Sequence, residues 1–212
     1  MEKSVQGKIA MKCGMKIPKC TVITCRNHVE WSCFPCITKP LKSIIGAGKY
    51  DICIATSQNE LHAILEKLEA NEIQIQEFIS KKMEFQLIGC SLNEGETIII
   101  PGYTKILRQP LNTNTGYLEY SPIENFDFNL ESVNAFIREI GYSGLFSVEF
   151  IRAENDTDYF LEINMRNDGN AYCVKSAGVN LPFIWCYYSL FGNLPDMPLS
   201  FSKSLHFIPD FN

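Results

Sequence analysis

Tyr159 to Tyr172 reads YFLEINMRNDGNAY. Glu162, Asn164 and Arg166 fall at every second position, and Leu161, Ile163 and Met165 between them are apolar. A strand alternates its side chains between two faces. The spacing therefore predicts an acid, an amide and a cation on one face and three apolar groups on a core. Just upstream lies LFSVEFI (Leu145 to Ile151), followed by a run rich in turn residues. A symmetric hairpin centred between Asn155 and Asp156 opposes Glu149 to Glu162 and Ser147 to Asn164. Directly opposed side chains sit ~5 Å apart, where two like charges repel unless a cation lies between them. A hard divalent cation takes oxygen ligands: carboxylates, amide carbonyls, phosphates and water. Glu149, Glu162 and Asn164 are thus candidate metal ligands, and Arg166 a candidate bidentate grip on a phosphate or carboxylate. The plain alternative is a solvated polar face on a half-exposed hairpin. The two acids facing each other, with the cation displaced to the end, weigh against it.

The 212 residues are 46% hydrophobic and 20% charged, which fits one large domain or two small lobes with a real core. The net charge of −5 argues against nucleic acid as the main partner, since phosphate binding wants a basic face. No apolar run approaches the ~18 residues of a membrane span. PFIWCYYSLF (Pro182 to Phe191) is short and reads as a buried helix. MEKSVQGK at the start has no apolar core of a signal peptide. The nine cysteines are odd in number and several sit in apolar strand patterns, which predicts buried free thiols in a reducing cytoplasm. Cys33 and Cys36 form C-x-x-C. A structural zinc site needs a second ligand pair, and His28, His62 and His206 supply none at suitable spacing.

Along the chain, SVQGKIAMKCG predicts a first helix with Ser4 as N-cap and Gly14 as stop. Short β-rich runs follow at KCTVITC, FPCITKP and YDICIA. SQNELHAILEKLEAN predicts a helix with a Ser57–Glu60 capping box and Leu61, Ile64, Leu65 and Leu68 on one side. EIQIQEFI, KMEFQLIGC and ETIIIPGY read as strands, and Leu111 to Phe128 as an acidic, turn-rich connection. NLESVNAFIREIG predicts a helix capped by Asn129 and stopped by Gly141. Helical segments near Ala171–Ala177 and Pro182–Phe191 end the ordered part. Strands adjoin strands in both halves, so the order favours α+β lobes over a regular parallel wind.

Lys39 ends an apolar strand, and the loop after it holds Ser43, Gly46, Gly48 and Lys49. Glycines let backbone N–H groups approach an anion. GAGKY lacks the G-x-x-x-x-G-K-[ST] spacing, so it reads as a flap over phosphates or as a plain hairpin turn.

Together these residues resemble the ATP-grasp superfamily, from about Glu2 to about Phe191. The resemblance implies an α+β fold in which two lobes clasp a nucleotide. Residues 1–79 would form the N-terminal lobe with its flap and 80–212 the C-terminal lobe with the metal-binding hairpin. It further implies a domain upstream of this chain. EKSVQGKIAMKCGMKIPK resembles the family's opening helix, whose leading lysine, here Lys3, reaches the phosphates. FPCITKPLKSIIGAGK resembles its lysine–proline strand end and flexible loop. That makes Lys39 the α/β-phosphate ligand, with Gly46, Gly48 and Lys49 in the flap. IQEFI looks like the hinge. Gln76, Glu77, Phe78 and Ile79 would hold the adenine there, with the Glu77 carbonyl and the Ile79 amide on its edge. SVEF and LEINMR are similar to the family's metal pair, Glu149 and Glu162 with Asn164, and Arg166 would lie beside the transferred phosphate. SAGVNLP and GYSGLFSVEF resemble the branch of carbamoyl-phosphate synthase and D-aspartate ligase. Arg108 lies in a region matching no pattern and is either a phosphate ligand or a surface residue. The implied activity is an ATP- and magnesium- (or manganese-) dependent ligase joining a small-molecule carboxylate to an amine or other nucleophile. The alternative is a nucleotide-binding module without turnover.

Overall fold

The structure, a computed structural model, describes residues 1, 3–24, 29–40, 52–68, 72–108 and 116–208. It divides into two compact units: Pro18–Ser80, and Met1–Ile17 together with Lys81–Asn212.

The smaller unit is a four-stranded antiparallel sheet with one helix. Its elements are β1 (Cys20–Ile23), β2 (Cys36–Pro40), β3 (Cys53–Ala55), α2 (Gln58–Lys67) and β4 (Ile73–Glu77), and the sheet order is β1-β4-β2-β3. Leu61 and Leu65, one helical turn apart, pack on Cys36, Ala55, Ile73 and Ile75. The expected capping box is present in altered form. Ser57 accepts from the Glu60 amide at 3.3 Å, but Glu60 reaches one residue further back, to the Thr56 amide and hydroxyl, both at 2.7 Å.

The larger unit is built on a six-stranded antiparallel sheet in the order β10-β7-β6-β5-β8-β9. Its strands are β5 (Lys81–Leu92), β6 (Thr97–Arg108), β7 (Tyr117–Pro122), β8 (Gly144–Ala153), β9 (Asp158–Asn164) and β10 (Leu205–Phe207). Two strands escape the sequence reading. β7 lies inside the segment expected as a turn-rich connection, yet its Leu118 and Tyr120 alternate inward and are fully buried. β10 is a three-residue strand, too short for a period to show.

Each face of this sheet is covered differently. On one, α1 (Lys3–Lys12) and α3 (Leu130–Glu139) pack Ala10, Val133, Phe136 and Ile137 against Phe85, Leu87, Phe146, Val148, Phe150, Phe160 and Ile163. On the other, α4 (Ala171–Ser176) and α5 (Leu181–Phe191) lay Cys173, Val174, Leu181 and Ile184 on Ile88, Cys90, Leu118 and Tyr120. Fully burying a large apolar side chain is worth about 1.5–3 kcal/mol, so these two layers are the main stabilising contributions. Arg152 pins the hairpin tip. Its guanidinium forks onto Asp158 at 2.7 and 2.9 Å and donates to the Asp127 carbonyl at 2.7 Å. It also lies 4.7 Å from the Phe126 ring centroid.

Helix α1 corrects two expectations. It starts at Lys3, so Ser4 lies inside its first turn and not at its cap. Residues 1–17, expected with the first lobe, belong to the larger unit. Ala10 and Met15 lie in the core of that unit, and Gln6, 6% exposed, pairs its side-chain amide with one residue of β9. Gln6 Oε1 accepts from the Ile163 amide at 2.9 Å, and Gln6 Nε2 donates to the Ile163 carbonyl at 3.2 Å.

The cysteines are also less buried than expected. The eight described ones are all free thiols, and only Cys36, Cys90 and Cys173 are buried, while Cys20 and Cys186 are exposed. Burial pushes the Cys90 and Cys173 thiols up to about 12.

Gln6→Ala strips two buried backbone groups of their partners, and each such loss costs roughly 1–3 kcal/mol. The urea midpoint is expected to fall accordingly, and an unchanged midpoint would remove the pairing from the account. With a thiol reagent near neutral pH, Cys20 and Cys186 are expected to label in the native protein, and Cys90 and Cys173 only on unfolding. The raised thiols ionise more readily once unfolded. They therefore contribute stability that is complete below the ordinary thiol range, about 8.5, and falls as the pH climbs from there toward 12.

Candidate functional site

The β8–β9 register opposes Glu149 to Glu162, Val148 to Ile163 and Ser147 to Asn164, as the symmetric hairpin predicts. Nearer the tip the pairing changes. Phe150 opposes Phe160 and Ile151 opposes Tyr159, which leaves Leu161 as an extra residue on β9. This β-bulge corrects the simple alternation. The core residues of β9 are Phe160, 2% exposed, and Ile163, 3% exposed, while Leu161 is only half-buried.

On the other side of β8, Gln86 of β5 opposes Glu149. Gln86 in turn opposes Thr104, and Thr104 opposes Tyr120. One face of the sheet therefore carries the row Tyr120, Thr104, Gln86, Glu149, Glu162. The first three are buried and the two acids are half-buried. Asn164, in the neighbouring row, donates from Nδ2 to Glu149 Oε1 at 3.2 Å. Two opposed carboxylates and an adjacent amide oxygen are a donor set that fits a hard divalent cation. Among the described residues no group of three or more His, Cys, Asp or Glu side chains is gathered for a metal. A cation here would draw on these two acids and the amide and complete its shell from other molecules.

Arg166 departs from the expected pattern. β9 ends at Asn164, and Arg166 lies beyond it on an exposed bend, so strand alternation does not place it beside Glu162. Its Nη1 donates to the Asn167 carbonyl at 3.2 Å. Arg108 is exposed at the end of β6 against Tyr117, beyond Thr104, and is not part of the acidic row. It borders a depression with Lys81, Lys82 and Leu107.

In the smaller unit, Lys39 donates from Nζ to Gln76 Oε1 at 2.8 Å, which joins two of the expected nucleotide residues. Glu77 is tied to β1. Its amide donates to the Lys19 carbonyl at 2.8 Å, and its carboxylate accepts from the Lys19 amide at 3.1 Å. The Phe78 amide donates to the Pro35 carbonyl at 3.0 Å. Ile79 is half-buried in the extended segment after β4. Gly46, Gly48 and Lys49 lie outside the described residues, as does the side chain of Lys3.

Sequence reading missed a polar network beside the acids. Asp168 Oδ2 accepts from Gln86 Nε2 at 2.9 Å and from Ser147 Oγ at 2.8 Å, and Asp168 Oδ1 accepts from the Asn170 amide at 2.8 Å. Asn170 Nδ2 donates to Gln86 Oε1 at 3.2 Å. The available signals were Gln86 alone in an apolar strand and the NDGN cluster after β9, which reads first as a turn. A concavity of about 300 Å³, lined in part by Met15, Lys16, Asn129 and Asp158, contains none of the expected site residues.

No protein-family model matches the chain. A stretch of 76 residues is 36% identical to DNA-directed RNA polymerase III subunit rpc1 of Dictyostelium discoideum. It covers 36% of this chain and 5% of that protein, too little to bear on its family. Solved structures align over nearly the whole chain. An L-amino acid ligase from Bacillus licheniformis gives a TM-score of 0.66 at 16% identity, covering 90% of this chain and 47% of its own. An N5-carboxyaminoimidazole synthase from Aspergillus clavatus, in complex with ADP and 5-aminoimidazole ribonucleotide, gives 0.72 at 14%, covering 96% and 54%. The biotin carboxylase domain of Hydrogenobacter thermophilus 2-oxoglutarate carboxylase, with MgADP and bicarbonate, gives 0.68 at 16%, covering 92% and 46%. The chain thus spans about half the length of these neighbours. No helix among the described residues is long and apolar enough to cross a membrane. Such likenesses at low identity speak to architecture, and with the antiparallel sheets and the registered carboxylate pair they establish that the chain has the ATP-grasp fold.

Proposed function

We propose that the chain is the ATP- and magnesium-dependent part of a ligase that joins a small-molecule carboxylate to an amine or other nucleophile. The observation that carries this reading is Glu149 facing Glu162 across β8 and β9, with Asn164 beside them, on a fold shared with enzymes whose structures hold ADP or MgADP. Magnesium, or manganese, bound there supplies charge neutralisation for the β- and γ-phosphates. The protein's own part is positioning and charge placement. Glu149 and Glu162 present anionic oxygens on a rigid ladder, and Asn164 adds a neutral one. Arg166, on the bend two residues past Asn164, brings a guanidinium to the transferred phosphate under this reading. Under the same reading Lys39 serves the α- and β-phosphates, and the 76–79 segment serves the adenine through main-chain groups. The carboxylate oxygen attacks the γ-phosphorus, the bond to ADP breaks, and an acyl phosphate forms. The amine then attacks the acyl carbon and phosphate leaves. The two steps need no nucleophilic side chain. The branch resembling carbamoyl-phosphate synthase and D-aspartate ligase belongs to the same proposal.

The second reading is a nucleotide-binding module without turnover. Steady ADP release from MgATP in the presence of a panel of carboxylates and amines is expected for the ligase. Tight MgATP binding with no ADP release under any pair supports the module.

A metal role for Glu162 predicts a specific loss in Glu162→Gln. At a hundredfold excess over the dissociation constant, MgATP stabilises by ~2.7 kcal/mol, and each tenfold loss of affinity removes ~1.4 kcal/mol of that. The MgATP-induced rise in Tm is expected to fall by at least half in the variant. Adding EDTA is expected to reduce the wild-type rise in the same way. A Tm rise that survives both treatments would count against a metal at this pair.

A further inference from the structure

We propose that Asp168 is a positioning residue that fixes the guanidinium of Arg166; the inference rests on the ligase reading above. Three donors converge on its carboxylate from three parts of the larger unit. They are Gln86 Nε2 of β5 at 2.9 Å, Ser147 Oγ of β8 at 2.8 Å and the Asn170 amide at the start of α4 at 2.8 Å. All three donor residues are buried: Gln86 is 6% exposed, Ser147 0% and Asn170 8%. A site walled by donors calls for a group that only accepts, and an ionised carboxylate is that group. An asparagine there would offer one oxygen in place of two and turn an NH₂ toward a donor. Hydrogen bonds to a charged acceptor are also stronger than neutral ones.

This clamp acts on Arg166 through one peptide unit. Arg166 Nη1 donates to the Asn167 carbonyl at 3.2 Å. That carbonyl shares its rigid plane with the amide nitrogen of Asp168. Anchoring the Asp168 side chain to β5 and β8 therefore sets where the carbonyl sits, and the carbonyl orients the guanidinium. Arg166 needs such a device because β9 stops at Asn164 and gives it no ladder of its own. The clamp stands on the same strands as the acids, since Gln86 opposes Glu149 and Ser147 opposes Asn164. The loop and the acidic row are thereby held in one frame.

The network is complete on the Asp168 side and open at one point. Among the described residues, Asn170 Oδ1 is buried without a hydrogen-bond partner, although its Nδ2 donates to Gln86 Oε1 at 3.2 Å. An unsatisfied buried acceptor is costly. Asn170 is held in that place by its amide on Asp168 and its Nδ2 on Gln86.

MgADP lacks the γ-phosphate, so the ratio of MgATP to MgADP affinity reports the contacts made to that phosphate, and its change on substituting Arg166 isolates the contribution of the guanidinium. Calorimetric titration of the full chain with each nucleotide provides the test. Arg166→Ala is expected to lower the ratio by about tenfold, as loss of one charge-assisted contact implies. Asp168→Ala is expected to bring the ratio within about twofold of the Arg166→Ala value. The double variant is expected to lie no lower, because both changes act through one guanidinium. Asp168→Asn keeps the side-chain volume, so it tests the clamp even if Asp168→Ala does not fold, and its ratio is expected between wild type and Arg166→Ala. A role in stability alone weakens both nucleotides together and leaves the ratio at the wild-type value. That result in both Asp168 variants, with Arg166→Ala lowering the ratio, overturns the inference and leaves the ligase reading standing. A ratio unmoved by Arg166→Ala also overturns it. Wild-type protein that binds no MgATP at all removes the ligase reading and the inference together.

Discussion

The larger unit depends on one extra residue. Without the bulge at Leu161, strict alternation would send Phe160 and Glu162 to the same side of β9. Either the aromatic side chain would leave a core in which Phe150 and Phe160 lie 5.9 Å apart, or the carboxylate would enter it. Burying an unpaired carboxylate among phenylalanines is far more costly than a local kink in the ladder. The bulge removes the conflict. It lets the tip half of β9 feed the core with Phe160 and the base half present Glu162 and Asn164 on the polar face. Strand irregularities placed where a side chain must be re-aimed are common beside functional groups.

The row from Tyr120 to Glu162 runs from dry to half-wet across five strands. Its apolar end is covered by α4 and its acidic end is not, so the same sheet face serves as core and as site. The Gln86–Ser147–Asp168–Asn170 network marks the boundary. Buried polar groups of this kind are tolerable only when their partners are fixed, and in a low local dielectric they hold their geometry more firmly than exposed ones. The acids therefore stand on strands fastened on the apolar side by packing and on the polar side by directed hydrogen bonds.

What was legible in the sequence follows from range. Glu149, Glu162 and Asn164 were legible as neighbours because they belong to one hairpin, but their exact pairing holds only through the bulge. Beyond it Phe150, Ile151 and Arg152 oppose Phe160, Tyr159 and Asp158, about a turn centred on Asn155, half a residue from the expected centre. The helix at Gln58–Lys67 was equally local, with its cap and apolar side within one window. The bulge escaped because Leu161 looks like any strand residue; only the competition between Phe160 and Glu162 for one face demands it. The strand face was drawn too long to include Arg166, because the period was continued past Asn164, where β9 ends. Long-range partnerships were not legible at all. Gln6 meeting Ile163 and Asp168 meeting Gln86 join residues far apart in the chain, and neither leaves a pattern in composition or spacing.

β9 is the last strand of the six-stranded sheet, so one of its sides faces away from the ladder. A bare edge of that kind is a template on which another chain can add a strand. Here the edge is occupied from within the chain. Gln6 covers the Ile163 amide and carbonyl, and the Phe160 amide donates to the Lys16 carbonyl at 2.8 Å. A glutamine side chain on a helix thus stands in for a neighbouring strand. The N-terminal segment guards the edge against strand addition with one glutamine side chain and a single parallel bridge between Lys16 and Tyr159.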